Sequence, residues 1–252
     1  MRTDILDLKE FYRSPLGAAA RGFIGARIEE AWRDHAGLRI AGFGHAEPYL
    51  AAFDGAERAL ALAPGGQGVV QWPEGAANRA ALVGETGWPL PDASIDRLLI
   101  IHGLEESADP ARLMREVWRV LTSDGRAIFV VANRRGLWSA FDTTPFAHGR
   151  PYLKHQLERL LQQSLFRPVA WSTALQFPPV GARYMLRAAK TWEGVGARLW
   201  PAFSGVLLVE AVKDMARPVG LAVRQRARIG VGAAARPAAA SALNANRACD
   251  GE

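Results

Sequence analysis

The stretch that decides the fold is residues 88–133, WPLPDASIDRLLIIHGLEESADPARLMREVWRVLTSDGRAIFVVAN. Ile95–Ile101 is apolar almost throughout, the pattern of a strand buried on both faces. Asp109-Pro110 follows, an N-cap acid with proline at the first helical position. Leu113, Met114, Val117, Trp118 and Leu121 then recur at helical spacing. Asp124-Gly125 reads as a turn into another apolar strand, Ala127–Ala132.

Working outward, the same alternation continues on both sides. Leu38–Gly42 reads as a first strand ended by Gly-Phe-Gly, and Glu47–Phe53 as a short helix. Ala59–Leu62 and Ala80–Gly84 are two further strands, the former stopped by Pro64-Gly65-Gly66. Beyond the central stretch, Tyr152–Leu165 is helical, and Val169–Leu175 and Phe203–Val212 are strands. The intervening 133–151 and 176–202 read as irregular. Strands alternating with helices predict an α/β domain, a doubly wound and mostly parallel sheet with helices on both faces.

Residues 1–35 form helices that pack on this domain, broken near Pro15 and Gly17; a membrane-surface role for their amphipathic face is the alternative. The domain proper spans 36–215, with insertions at 133–165 and 176–202 on the substrate side. From residue 216 to 252 periodicity stops, and Ala, Arg, Pro, Gly and Ser dominate, which predicts a disordered basic tail. Six of its residues are arginine, so of the net +6 only +2 remains on the rest. The high pI is therefore no argument for a nucleic-acid enzyme. One cysteine, Cys249, allows no internal disulfide, and the five histidines show no metal-binding spacing. No run reaches the roughly 18 apolar residues of a membrane span, and the start of the chain carries acids. A cytoplasmic location is expected, with no metal; the oligomeric state stays open.

The 88–133 stretch resembles the type 11 small-molecule family of class I S-adenosylmethionine-dependent methyltransferases. Leu90, Pro91, Asp92, Ser94, Asp96, His102, Leu104, Glu105, Pro110, Glu116, Arg119, Val120, Leu121 and Gly125 fall in register with the family pattern. Gly42-Phe43-Gly44-His45-Ala46 stands where that family places its glycine turn. The resemblance implies a seven-stranded sheet of order 3-2-1-4-5-7-6, the last strand antiparallel, with S-adenosylmethionine at the carboxyl ends of strands one, two and four. Carried over by position, Gly42 and Gly44 would pass under the methionine part and Glu85 would contact the adenine amine, with His45 a further cofactor-binding candidate in place of the missing acids. His102 would face the methyl donor.

The chain departs from the family at two acids. Ile40 stands two residues before the first glycine, and Ala63-Pro64 ends the second strand. Each missing carboxylate removes a hydrogen bond to a charged group, roughly 1.5–3 kcal/mol. Two functions follow. One is a methyltransferase acting on a small or lipophilic acceptor; the other is a catalytically inactive relative that binds or regulates. An RNA-directed enzyme is disfavoured by the near-neutral domain and the lack of an RNA-binding module. Base-amine methylation is excluded, because HGLE stands where (N/D)PP(Y/F) is needed.

His102 is the candidate catalytic base; a histidine that merely orders its loop is the alternative. Glu105 and Glu106 read as solvated acids or residues leading into the helix. His148, Arg150 and Tyr152 are candidate substrate residues, and Arg134, Arg135 and Arg150 suit an anionic group. Equally, Pro145, Gly149 and Pro151 would only shape a turn. Trp138, Trp171, Trp192 and Trp200 are either an apolar lid or plain core.

Overall fold

A computed structural model describes residues 2–181 and 183–215. The expected tail, 216–252, lies outside the described residues. The elements run α1 (Ile5–Arg13), α2 (Pro15–Ala31), β1 (Arg39–Gly44), α3 (Glu47–Leu50), β2 (Arg58–Pro64), β3 (Ala80–Val83), β4 (Ile95–Ile101), α4 (Pro110–Val120), β5 (Leu121–Ala132), α5 (Lys154–Gln163), β6 (Phe166–Ala174), α6 (Arg183–Leu199) and β7 (Val206–Lys213). The seven strands form one sheet of order β3-β2-β1-β4-β5-β7-β6. β7 runs antiparallel to both of its neighbours, and the remaining pairs are parallel.

Local chemistry sets most boundaries. The Asp4 carboxylate accepts from the Leu6 amide at 2.8 Å and opens α1. Ser14 closes α1 and caps α2, its hydroxyl accepting from the Gly17 amide at 3.0 Å. Gly17 is obligatory at this joint: a Cβ there would lie 2.0 Å from the Phe11 carbonyl oxygen. Asp109 caps α4 through the Arg112 amide, with Pro110 at the first position.

The sheet buries both faces, and β4 shows how. Leu98 and Ile100 point to the layer of α4 and α5, among Leu113, Met114, Val117 and Leu161. Leu99 and Ile101 point to the layer of α1, α2 and α3, among Tyr12, Ile24, Ile28 and Leu50. Alternate side chains of one strand thus serve opposite cores. Several residues of the family pattern are structural here. Arg39 holds Asp96 through two side-chain bonds of 2.9 Å. Arg119 bonds Glu116, Asp92 and the carbonyls of Leu90 and Trp88, closing the turn before β4.

The structure corrects several expectations. β1 continues through Gly42 and Gly44, because both pair in register with β4; the turn comes only after Gly44. α3 ends at Leu50 instead of Phe53, and β5 already begins at Leu121, ahead of the expected Asp124-Gly125 turn. Within the expected irregular piece 176–202 lies the 17-residue α6. Gly196 is where the helix meets Gln176: a Cβ would sit 2.6 Å from that side chain's Cβ. Trp138 is fully buried and donates to the Phe177 carbonyl at 2.7 Å, as a core residue. Trp192 and Trp200 are exposed.

Gly22 gives a simple check on α2. It is exposed in mid-helix, and a Cβ there meets nothing within 4 Å. Gly22→Ala is expected to stabilise the protein by about 0.5–1 kcal/mol, read as a higher denaturant midpoint with an unchanged slope.

Candidate functional site

The carboxyl ends of β1, β2, β3 and β4 open on the same edge of the sheet, and their loops build the site. β1 leads to Gly44-His45. Gly44 has φ +90°, and a Cβ on it would stand 2.0 Å from the Ile101 carbonyl oxygen of β4. The neighbouring His45 amide donates to that same oxygen at 3.0 Å. Gly42 faces its own chain: a Cβ would meet the Ala46 Cβ at 2.3 Å and Leu50 at 3.1 Å. The space at Gly42 therefore belongs to α3, and its smallness serves the return of the helix against β1.

His45 is 2 % exposed, and neither ring nitrogen has a hydrogen-bond partner in the protein. Its Nδ1 is 3.3 Å from a Glu47 carboxylate oxygen. That separation is short enough for an ion pair, yet the angles do not make a hydrogen bond, and both Glu47 oxygens remain unpaired. Gln67, in the loop after β2, is equally buried with its amide unpaired. Glu85, after β3, is fully engaged. It accepts from Arg2 at 2.8 Å, from the Ser107 hydroxyl at 2.8 Å and from the Ala108 amide at 3.1 Å. Partial burial pushes its carboxyl up, but these three donors outweigh burial and hold it below the usual range.

His102 follows β4 with φ +52° and is 3 % exposed. Its Nε2 lies 2.8 Å from the Tyr12 hydroxyl, and its ring centroid 4.8 Å from that of Phe146. Burial, helped by the nearby His45 and His148, drives its pKa down to about 3. It is therefore neutral at physiological pH. Glu105 behaves in the opposite sense. The expectation of a solvated acid fails: the side chain is 4 % exposed. One oxygen accepts from the Ala132 amide at 2.9 Å and the other has no partner. Burial raises its pKa to about 7, against the pull of its backbone hydrogen bonds.

The three candidate substrate residues separate. His148 is exposed and turns to the amino terminus, its Nδ1 3.0 Å from the Thr3 hydroxyl. Arg150 and Tyr152 instead line a groove of about 300 Å³ between the start of α4 and α5, with Arg134, Gln156, Arg159 and Gln163. The Arg134 Nε donates to the Pro151 carbonyl. No carboxylate pairs with any of the three guanidinium groups among the described residues. Burial and Glu105 raise the Tyr152 phenol to about 12, against the pull of Arg150. Arg135 lies on a different groove, with Lys154 and Glu158.

Sequence reading missed Tyr12, Tyr49, Glu47 and Gln67 as members of the site. The Tyr12 and Tyr49 hydroxyls are 3.1 Å apart, and Tyr12 lies over His45 with ring centroids 5.1 Å apart. Tyr12 stands in an ordinary helical stripe, and nothing local marks it as more than core.

Comparison with known proteins agrees with this architecture. The family model described as "Methyltransferase domain", the type 11 family, matches residues 44–129. A methyltransferase from Aquifex aeolicus described as S-adenosylmethionine-dependent superposes with a TM-score of 0.53 at 15 % identity, over 84 % of this chain and 100 % of the other. One from Mesorhizobium loti gives 0.52 at 16 % identity, over 75 % and 96 %. The [4+2]-cyclase SpnF gives 0.51 at 18 % identity, over 75 % and 79 %. No curated protein matches the sequence. At these identities the superpositions establish the fold, and the cyclase shows that the fold alone does not dictate the reaction.

The type 11 methyltransferase domain is what residues 44–129 match, and S-adenosylmethionine is the cofactor that goes with that domain and with the S-adenosylmethionine-dependent methyltransferases that share the fold. Buried polar groups without partners cost ~1–3 kcal/mol each. His45, Glu47, Gln67 and Glu105 leave seven such atoms on the segments that follow β1, β2 and β4, groups that a polar ligand bound at this edge of the sheet would satisfy. The polar atoms of His45, Glu47 and Gln67 are of the kind such a cofactor would pair with; in this arrangement Gly42 packs against Ala46 and Leu50 and the Glu85 carboxylate is held by Arg2, Ser107 and Ala108.

Proposed function

We propose that the protein transfers a methyl group from S-adenosylmethionine to a small acceptor carrying an anionic group, in the cytoplasm. The observation that carries the reading is the set of buried, unpaired polar side chains at the carboxyl ends of β1, β2 and β4. His45, Glu47 and Gln67 would hold the cofactor, which supplies an electrophilic methyl on a sulfonium. Glu105 is the group whose proton affinity is matched to neutral pH and is the better proton acceptor of the two candidates. His102, neutral and tied to Tyr12, is a positioning residue under this reading. Among the described residues no helix is long and apolar enough to cross a membrane.

Arg134, Arg150 and Arg159 supply unpaired cations for the acceptor's carboxylate or phosphate. Calorimetric titration with S-adenosylmethionine and its demethylated product tests the first half of the proposal; no heat at millimolar ligand removes it. For the second half, Arg150→Ala with Arg159→Ala is expected to weaken binding of inorganic phosphate. The loss should be about 10- to 100-fold, the worth of a hydrogen bond to a charged group, with cofactor affinity unchanged. Equal phosphate affinity in the variant removes the groove from the acceptor site.

A second reading, binding without catalysis, is favoured by one observation: Arg2 already occupies Glu85. Retained cofactor affinity with no methyl released in the presence of any acceptor pool would support it.

A further inference from the structure

One segment of the chain engages the loops of four adjacent strands at once. The Arg2 side chain is only 7 % exposed, with a guanidinium nitrogen 2.8 Å from Glu85 after β3. The same group reaches the Gly103 carbonyl after β4 at 3.5 Å. Its methylenes lie 3.6–3.9 Å from where a Cβ on Gly66, after β2, would stand. The Ile5 amide donates to the Gln67 carbonyl at 2.8 Å. Thr3 donates to Glu106 through its amide at 2.9 Å and its hydroxyl at 2.5 Å. Tyr12 closes the far end, bonding His102 after β4 and lying over His45 after β1.

These residues stand in the crevice where the resemblance places the cofactor, Arg2 against the very carboxylate assigned to the adenine amine. A ligand group on the Glu85 carboxylate would have to displace Arg2 from it. Two features distinguish the segment from ordinary core. It makes no strand pairing and joins α2 through the Ser14-Pro15 break, so it can swing without tearing the sheet. It also covers its neighbours poorly in chemical terms. His45, Gln67 and Glu105 lie against it with buried polar atoms unpaired, whereas a permanently seated helix would be expected to satisfy what it buries.

We propose that residues 2–12 form a displaceable plug of the cofactor crevice, latched by Arg2 on Glu85, Thr3 on Glu106 and Tyr12 on His102, so that plug and cofactor exclude each other. This rests on the cofactor reading above. The outermost latches can be released with little loss of core, by Arg2→Glu, which faces Glu85 with a like charge, together with Thr3→Ala in the full chain.

Two measurements on the parent and this variant decide the matter. The first is calorimetric affinity for the demethylated product of S-adenosylmethionine, expected to rise about tenfold or more in the variant. The second is amide hydrogen exchange. Residues 2–13 and the loops 65–68 and 102–106 should exchange about tenfold faster or more, while β4 and β5 keep parental protection. Equal binding by both proteins overturns the plug and leaves the cofactor reading standing. No binding by either overturns the cofactor reading. The exchange data then judge the plug on their own: selective deprotection keeps it as a cover of the crevice. Unchanged protection, or loss of the strands together with α1, removes it.

Discussion

Gly44→Ala is expected to destabilise the domain by roughly 4 kcal/mol or more, the range reached by buried clashes and forced backbone strain. Two effects add. A residue with a side chain at φ +90° is strained whatever space it has. The added Cβ would also stand 2.0 Å from the Ile101 carbonyl oxygen, an atom fixed in β4 and accepting the His45 amide. Neither partner can retreat without breaking the β1–β4 pairing at the centre of the sheet. Urea denaturation reads the loss directly, with Gly22→Ala as the contrasting helix glycine. Gly42→Ala should follow the same course more mildly, since its obstacle is the Ala46 Cβ at 2.3 Å, on a four-residue helix that can shift. A Gly44→Ala protein with parental stability and lost cofactor affinity would mean that the glycine is kept for the ligand and not for the fold.

The second large effect is on stability against pH, where two buried groups pull in opposite directions. His102 has a folded pKa of about 3 against about 6.5 in an unfolded chain. Between those values the unfolded state binds the extra proton, so stability is full above pH 6.5 and is lost as pH falls toward 3. At ~1.4 kcal/mol per unit the full loss is on the order of 4–5 kcal/mol. Glu105 has a folded pKa of about 7 against roughly 4.3 when unfolded. Here the folded state holds the proton longer, so its contribution is full below pH 4 and is lost as pH rises through 7, by about 4 kcal/mol. His102→Asn keeps a neutral hydrogen-bonding side chain and tolerates the positive φ; it should flatten the acid limb of the stability profile. Glu105→Gln keeps an acceptor for the Ala132 amide and should gain stability over the parent between pH 5 and 8. Parallel profiles for parent and variants would mean that neither group is buried as described.

The two glycines and the two titrating residues illustrate how far sequence reading reaches. Gly42 and Gly44 were legible as a functional spacing, but their physical roles were not, because each is decided by an atom far along the chain or on another element. For Gly44 it is Ile101, and for Gly42 the turn of α3. His102 was legible as the residue just beyond a buried strand. Its burial was not, since Tyr12 and Phe146 that enclose it come from opposite directions of the chain. Glu105 misled for the same reason: two adjacent acids before a helix look solvated, and only the packing of the 133–152 segment and α1 buries one while leaving Glu106 to Thr3.

What the sequence by itself determined was the layered sheet: strand runs, helix stripes, the cap at Asp109, the helix break near Pro15, and the strand order through the family pattern of 88–133. Those are properties of residues within a few positions of one another, where backbone hydrogen bonding and side-chain periodicity act. What only the tertiary structure decided was the state of the crevice. Arg2 meets Glu85 across 83 residues, and Tyr12 meets His102 across 90. No local pattern announces such contacts, because they arise only when segments far apart in the chain pack into one core, and desolvation, which shifts the buried groups between them, is a property of that packing and not of the residues alone.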